Sequence, residues 1–282
     1  MKRAFVYLII GIVLLLLTSL WGFYISVKPP KIKSSVTPMD YGMGYESISF
    51  TTKDQLILDG WFIPHQDPEN AKTIILLHGY PADKGDVLPL TRFLNDKYNL
   101  LYFDFRYLGQ SEGRYSTAGA LEKEDLLTAI RFLRSRGIDE VGAWGFSMGG
   151  AVALMAAPEA PEIKAIVSDS AYARLQLMTY GLYRIPVLRY PLGWLTGLWG
   201  RVFMGLDIGK VAPAESVKYL DIPILIIHSK EDEVILLKNA LLIQESLKNN
   251  PKAEFWFQEN LIHGQVGRDY QNRILDFFER SL

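Results

Sequence analysis

The pentapeptide G-F-S-M-G at residues 145–149 limits what this chain can fold into more than any other feature of the sequence. An apolar run at residues 141–144 precedes it, and an alanine-rich, helix-forming run follows it. A strand that turns into a helix within so few residues crowds its own backbone, so the positions beside the turn must be small, and both are glycine. The pattern G-x-S-x-G can arise by chance, but this setting favours a turn that exposes the Ser147 hydroxyl.

A serine hydroxyl at the amino-terminus of a helix is a candidate nucleophile, because free backbone N–H groups and the helix dipole favour developing negative charge there. It needs a base to take its proton, and the base needs a partner that fixes its tautomer. Enzymes with this motif supply the groups in the order serine, acid, histidine. His263 follows Ser147 in that order, after a loop that carries Glu231, Asp232 and Glu233. Each of these three carboxylates is a candidate acid.

Apolar and amphipathic stretches alternate along most of the remaining chain. Such an alternation predicts a mostly parallel central sheet with helices on both faces. Strands are predicted at residues 55–63, 73–77, 100–103, 141–144, 165–167, 224–227 and 253–257, and helices at residues 86–98, 121–135, 150–157, 236–247 and 268–282. About 250 residues follow the first thirty, a normal size for one α/β domain.

The amino-terminal residues 4–27 form an apolar run without a charged side chain. As a helix that rises about 1.5 Å per residue, about 24 residues span about 36 Å, more than the roughly 30 Å of a bilayer core. The apolar core of a cleaved signal peptide is shorter, about 7–15 residues, and ends in a pair of small residues that this run lacks. We predict an uncleaved, single-pass membrane anchor at residues 1–27, with a cleaved signal peptide as the alternative.

Basic residues flank this run on both sides, so the positive-inside rule does not decide its orientation. We expect a short cytoplasmic amino-terminus and a catalytic domain outside the cytoplasm. Residues 28–44 are polar and contain prolines, which predicts an extended linker. The folded domain is then expected at residues 45–282.

Residues 172–207 interrupt the alternation of strands and helices. The segment is rich in aromatic and aliphatic side chains, and Pro186 and Pro191 divide it. Because it lies between two predicted strands, we predict a small helical cap that covers their carboxyl ends as an apolar lid. Trp194 and Trp199 are expected to shape the acyl pocket under this lid. The alternatives are that these side chains pack into the domain core or face a bilayer.

These residues give the chain a resemblance to the α/β-hydrolase family, and within it to the membrane-anchored serine hydrolases. The resemblance covers residues 45–282. Residues 78–80 are similar to the family's H-G-x oxyanion loop, and residues 104–111 to its D-x-R-x-x-G-x-S motif. Residues 228–232 are similar to H-G-x-x-D, with Ser229 in place of the usual glycine. The order of these motifs makes the match more specific than any one of them.

The resemblance implies an α/β-hydrolase fold and a catalytic triad. Ser147 would attack the acyl carbon, His263 would act as general base and then as general acid, and Asp232 would orient the histidine. The backbone N–H groups of Tyr80 and Met148 would form the oxyanion hole.

The other polar residues of these motifs are expected to be structural. His78 would shape the oxyanion turn, and His228 would be a hydrogen-bonded core histidine. Asp104 and Arg106 would bind the backbone and each other beneath the site.

The composition argues against several other classes of function. The chain has no cysteine and four histidines, without an H-E-x-x-H motif, so we predict no metal and no cofactor. With 30 basic and 31 acidic residues it carries a net charge of −1, and no basic cluster predicts a nucleic-acid partner.

The sequence thus predicts a membrane-anchored serine hydrolase that cleaves a carboxylic ester or thioester through an acyl-enzyme. Its expected partners are a small-molecule or lipid-like acyl substrate and the membrane. A serine peptidase and a non-catalytic binding protein on the same fold are the alternatives. The lack of an acidic pocket for a peptide amine argues against the peptidase, and the complete triad argues against the non-catalytic protein.

Overall fold

The computed structural model describes residues 2–282, and its centre is one eight-stranded sheet. The strands are β1 (Glu46–Thr51), β2 (Ile57–Ile63), β3 (Thr73–Leu77), β4 (Asn99–Phe103), β5 (Val141–Phe146), β6 (Ile163–Asp169), β7 (Ile224–Ser229) and β8 (Ala253–Gln258). Their order in the sheet is β1-β2-β4-β3-β5-β6-β7-β8. Strand β2 runs antiparallel to both β1 and β4, and the other neighbours are parallel. The predicted, mostly parallel sheet is confirmed.

Helices follow most of the parallel strands, as right-handed crossover connections require. They are α1 (Lys2–Val27), α2 (Lys84–Thr91), α3 (Glu122–Ser135), α4 (Met148–Ala156), α5 (Leu175–Gly181), α6 (Arg189–Met204), α7 (Pro213–Ser216), α8 (Lys238–Ser246) and α9 (Tyr270–Ser281). The predicted helix at residues 86–98 begins earlier, at Lys84, where the Asp83 carboxylate caps it, and its second half is a 3₁₀ turn.

Two apolar cores lie on opposite faces of the sheet, because successive side chains of a strand point to opposite sides. On β3, Ile75 and Leu77 face the larger core, to which α3, α4 and α8 contribute. Ile74 and Leu76 face the second core, which α2 and α9 cover. Helices therefore lie on both faces, as predicted.

Strand β1 is the one strand of the sheet that the sequence analysis missed. It pairs with β2 from Glu46 opposite Phe62 to Thr51 opposite Ile57. Only Ile48 and Phe50 of this strand are buried. The alternation of these two apolar residues with polar ones was the signal, but it covers little more than one repeat.

The segment between β6 and β7 forms a small helical cap made mainly of α5 and α6. Helix α1 packs against it. Trp199 Nε1 donates a hydrogen bond to Ser19 Oγ at 3.0 Å, and the rings of Phe23 and Phe203 stack with their centroids 5.9 Å apart. Ser19 and Gly22 are the buried residues of α1. The carboxyl-terminal third of α1 is thus packed against the cap.

Residues 28–44 follow the surface of the domain. The Tyr107 hydroxyl donates to the Pro29 carbonyl at 2.8 Å, Lys31 Nζ donates to the Ser111 carbonyl at 3.2 Å, and the Ser34 N–H donates to the Asp83 carboxylate. A short 3₁₀ turn at Pro38–Tyr41 follows. Apart from this turn the segment is irregular, and these bonds attach it to the domain.

Candidate active site

Ser147 occupies the sharp turn between β5 and α4. Its backbone lies at φ 52° and ψ −112°, which few residues other than glycine adopt. A Cβ atom at Gly149 would overlap the carbonyl of Leu77, and one at Gly145 would overlap the backbone of Gly149. The Ser147 N–H donates to the Asp169 carbonyl at 2.7 Å, which fixes the turn to the end of β6. Both motif glycines are therefore required by the close approach of the backbone.

Asp232 and His263 are paired on neighbouring loops at the carboxyl ends of β7 and β8. His263 Nδ1 lies 2.7 Å from Asp232 Oδ2. The other oxygen, Oδ1, accepts hydrogen bonds from the N–H groups of Val234 at 2.9 Å and Ile235 at 2.7 Å. Burial alone would raise the pKa of Asp232, but the hydrogen bond and charge of His263 and these two N–H groups outweigh it and lower the pKa. The geometry favours an ionised carboxylate that orients the imidazole.

The two glutamates beside Asp232 make different contacts. The carboxylate of Glu231 accepts from the N–H of Asn260 at 2.7 Å, and that of Glu233 accepts from the N–H of His263 at 3.2 Å. Both hold the backbone of the histidine loop. Of the three candidate acids, Asp232 is the one that is bonded to the imidazole ring.

The other two histidines of the motifs are buried. His78 Nε2 accepts a hydrogen bond from the Phe105 N–H at 3.0 Å, and its Nδ1 lies 2.7 Å from the Gly79 carbonyl. His228 Nε2 lies 2.6 Å from the Ile235 carbonyl. Burial lowers the pKa of both rings, which favours neutral histidines that hold loops in place.

Ser147 and His263 line one cavity of about 430 Å³, named here the Ser147 pocket. Tyr80 and Met148 also line it. Within residues 2–282 the Ser147 hydroxyl makes no hydrogen bond to His263, and such bonds commonly tighten only when a substrate is bound. The His263 ring packs against Phe146 with the centroids 4.8 Å apart.

The residues of the two predicted oxyanion donors, Tyr80 and Met148, line the same cavity as Ser147. Met148 is the first residue of α4, so its N–H has no acceptor within the helix. Gly79, which precedes Tyr80, lies so close that a Cβ there would be 3.4 Å from Ser147 Cβ. An oxyanion formed at the serine would therefore lie near both the first turn of α4 and the loop after β3.

Most of the Ser147 pocket is apolar, and part of its wall comes from α1. Leu175, Met178 and Leu182 of the cap line it, as does Ser26 in the last turn of α1. The Tyr80 hydroxyl donates to the Ser26 carbonyl at 2.8 Å. Sequence reasoning missed Ser26, because a serine within an apolar run gives no sign of the surface against which it packs.

The prediction for the two cap tryptophans is wrong. Trp199 is bonded to Ser19 of α1, and Trp194 is 58% exposed on the outer face of α6. Neither lines the Ser147 pocket. Helix α6 packs on α1 rather than over the serine, and α5 provides the cap side chains that reach the pocket.

The prediction that Asp104 and Arg106 bind each other is also wrong. Asp104 accepts hydrogen bonds from the backbone N–H and from the ammonium of Lys84, both at 2.7 Å. Arg106 makes its closest ion pair with Asp125, at 2.6 Å, and a second one with Asp54. Each charge has its own buried partner, which a linear motif cannot reveal. As expected, the Asp104 carboxylate also accepts from a backbone N–H near the site, that of Gln110. Within residues 2–282 the Arg106 guanidinium bonds only to the two carboxylates.

Asp169, the last residue of β6, contacts the turn at Ser147. Its carboxylate accepts from the Tyr270 hydroxyl at 2.6 Å and from the Ser170 hydroxyl at 2.9 Å. Burial raises its pKa to about 6, against the opposing effect of these two bonds. It does not line the Ser147 pocket, and its backbone carbonyl is the group that touches Ser147.

No group of three or more histidine, aspartate or glutamate side chains within residues 2–282 is arranged to hold a metal ion. A serine hydroxyl beside an imidazole that is bonded to a carboxylate can perform proton transfer and nucleophilic attack.

Comparison with known proteins identifies the fold family of this chain. Residues 72–199 match the sequence profile of the alpha/beta hydrolase fold. The Escherichia coli protein YfhR is 30% identical over 251 residues, which cover 84% of this chain and 81% of YfhR. Thiohydrolase aneE of Aspergillus aculeatus is 34% identical over 131 residues, which cover 44% of this chain and 41% of that protein.

Among solved structures, the esterase Pf2001 of Pyrococcus furiosus superposes with a TM-score of 0.73 and 28% sequence identity. The match covers 90% of this chain and 99% of the esterase. The sheet order, the turn at Ser147 and these matches establish that the chain is a hydrolase of the α/β-hydrolase family.

Proposed function

We propose that this protein is a membrane-anchored serine hydrolase that cleaves carboxylic esters or thioesters through an acyl-enzyme. The observation that carries the proposal is the hydrogen bond from His263 to the buried Asp232 carboxylate beside the pocket that contains Ser147. A carboxylate that fixes the tautomer of a histidine is what a serine nucleophile requires.

The proposed reaction has two halves. The Asp232 carboxylate keeps the proton of His263 on Nδ1, so that Nε2 is free to take the proton of Ser147 as the hydroxyl attacks the acyl carbon. The N–H groups of Met148 and Tyr80 stabilise the oxyanion, each contributing about 3–4 kcal/mol to the transition state. The protonated His263 gives its proton to the leaving alcohol or thiol. Water then attacks the acyl-enzyme with the same two proton transfers through His263, and the carboxylic acid is released.

The pocket favours an acyl chain over a peptide. The residues that line it within the described chain include no aspartate, glutamate, lysine or arginine. A peptide would lose water from its polar groups without gaining partners there, whereas each buried methylene contributes about 0.8 kcal/mol. Pf2001 is an esterase and aneE a thiohydrolase, which supports both ester and thioester substrates.

The membrane anchor is part of the proposal. Helix α1 has 26 residues, is apolar over nearly its whole length, and is mostly exposed. It is long and apolar enough to cross a bilayer, although a signal sequence would pass the same test. Its packing against α6 favours an anchor that is retained. We propose that the catalytic domain lies outside the cytoplasm.

Full-length protein in detergent micelles would test the proposed mechanism. Ser147→Ala should abolish hydrolysis of p-nitrophenyl butyrate and labelling by a fluorophosphonate probe, with the melting temperature retained. The matched control is Ser246→Ala, which changes a half-buried serine on α8 whose hydroxyl donates to the Leu242 carbonyl of the same helix, and it should preserve both signals. Turnover by the Ser147→Ala variant at the unmodified rate would refute the serine mechanism. If the unmodified protein binds acyl compounds but hydrolyses none of them, the non-catalytic alternative is favoured.

A further inference from the structure

The length of α1 constrains where the cap can lie if this helix crosses a bilayer. The packing against the cap includes Ser19, which leaves residues 4–18 before that contact. Fifteen residues span only about 22 Å, and the bilayer core is about 30 Å thick. The crossing must therefore include Ser19 and at least the next few residues. If the helix is tilted, still more residues are needed to cross the bilayer core.

The same arithmetic gives the depth of the contact. If the bilayer core begins at Ala4, about 20 residues of helix reach its other side, near Tyr24. The latest position for this boundary is Val27, where the apolar run ends. Ser19 then lies about 7–12 Å inside the hydrocarbon boundary. Because Trp199 of α6 is bonded to Ser19, the part of α6 around Trp199 lies at this depth beside it.

The outer face of α6 suits such an environment. Tyr190, Trp194 and Val202 are spaced by four and eight residues, which places them on one side of the helix. Their exposed fractions are 52%, 58% and 60%. Ile185, Val187 and Leu188 in the turn before α6 are also exposed. This apolar surface is continuous with the exposed apolar residues of α1 through the contact between Phe23 and Phe203.

The charges around this surface are basic. Arg184, Arg189 and Arg201 are exposed and form no ion pair within residues 2–282, and Asp207 is the one acidic residue between residues 172 and 207. Arginine side chains at the edge of an apolar surface are suited to anionic lipid headgroups.

The Ser147 pocket lies at the level of the membrane surface. Ser26, which lines it, is two residues beyond Tyr24, where the hydrocarbon boundary falls at the earliest. Leu182, which also lines it, is 39% exposed and belongs to the cap. The ester groups of glycerolipids lie at this boundary between headgroups and hydrocarbon.

We propose that the outer face of α6 lies in the bilayer leaflet next to the hydrolase domain, and that the Ser147 pocket takes a glycerolipid ester directly from that leaflet. The substrate part of this inference rests on the proposed function, whereas the position of α6 does not. The pocket opens where a lipid ester lies, so the acyl chain enters an apolar cavity without crossing water.

The position of α6 can be measured without any activity, because the chain has no cysteine of its own. Val202→Cys and Tyr219→Cys variants, each labelled with an environment-sensitive fluorophore, are reconstituted in phosphatidylcholine vesicles with phosphatidylglycerol. Tyr219 follows α7, is 95% exposed, and is the control. The label on the Val202→Cys variant should be quenched by nitroxides on lipid acyl chains and protected from iodide, and the Tyr219→Cys label should show the reverse.

Equal access of iodide to both labels would overturn the proposal. Protection that rises with the protein-to-lipid ratio, together with energy transfer between labelled copies, would assign the surface to a second copy of the chain and would also overturn it.

A second measurement tests the source of the substrate. Val202→Glu should lower hydrolysis of a fluorogenic diacylglycerol in vesicles at least tenfold and preserve hydrolysis of soluble p-nitrophenyl acetate. Leu241→Glu, on the exposed side of α8, is the control and should change neither rate. An unchanged vesicle rate in the Val202→Glu variant would refute direct uptake from the leaflet. If the unmodified protein hydrolyses neither ester, the proposed function fails, and the fluorophore measurement still decides the position of α6.

Discussion

Replacing Asp232 by asparagine should slow ester hydrolysis by about four orders of magnitude while the fold is retained. Asp232 Oδ1 accepts two hydrogen bonds, from the N–H groups of Val234 and Ile235, and Oδ2 faces His263 Nδ1. An asparagine must place its carbonyl oxygen where Oδ1 lies, because an amide nitrogen there would face two donors. Its NH₂ group is then directed at His263.

The consequence for the histidine is a change of tautomer. His263 Nδ1 can accept a hydrogen bond from an NH₂ group only without its own proton, so the proton moves to Nε2. That nitrogen can no longer take the proton of Ser147. A ten-thousandfold loss corresponds to about 5 kcal/mol of transition-state stabilisation. The fold should lose much less, on the order of 1 kcal/mol, because both N–H groups keep an acceptor.

The assay is the kcat for p-nitrophenyl butyrate with full-length protein in detergent, beside the melting temperature. Glu231→Gln and Glu233→Gln are matched controls, because a glutamine carbonyl can still accept from the N–H groups of Asn260 and His263. Each should change kcat by less than about threefold, as expected of exposed charges. The reasoning is refuted if Asp232→Asn retains more than a tenth of the rate, or if either glutamine variant loses more activity than it does.

Three further predictions concern the turn, the pocket and the buried acid. Gly149→Ala should lower stability by about 1–3 kcal/mol and nearly abolish activity, since its methyl group would overlap the Leu77 carbonyl; urea unfolding and kcat measure this. Met178→Trp should shift the preferred p-nitrophenyl ester to a shorter acyl chain, and an unchanged chain-length profile would exclude Met178 from the acyl site. Asp169 has a pKa of about 6 in the folded protein against an ordinary value of 3.8, so the folded protein holds this proton more tightly. The contribution of Asp169 to the free energy of unfolding therefore falls as the pH rises from about 4 to about 6, by up to about 3 kcal/mol. Asp169→Asn should remove that fall in a series of unfolding curves, and an identical pH dependence in both proteins would contradict it.

The parts of the fold that were predictable depend on local patterns. The strand β3 is a short run of β-branched and aliphatic residues that is buried on both faces, and its bounds agree with the prediction. The turn at Ser147 was predictable because steric crowding allows only small neighbours there. The histidine and the acid follow from their places on loops after strands, whose carboxyl ends meet at one edge of a parallel sheet.

The parts that were not predictable depend on which surfaces meet. Asp104 and Arg106 are neighbours in a motif, but Lys84 and Asp125 lie closer to their charged groups in space. The hydropathy of α1 predicts a helix without saying what lies against it. Its contact with the cap is made at Ser19, one of several small residues at helical spacing, and this spacing marks a face of α1 without identifying the surface that packs on it.

The hydrogen bond from the Tyr80 hydroxyl to the Ser26 carbonyl has a practical consequence for choosing substrates in the laboratory. A shortened protein that begins after α1 would be easier to purify, but its pocket would lack one wall. Substrate screens with such a protein would accept bulkier acyl groups and tolerate more water than the intact enzyme does. Profiles obtained with the intact chain in lipid nanodiscs are therefore the ones from which a physiological substrate should be inferred.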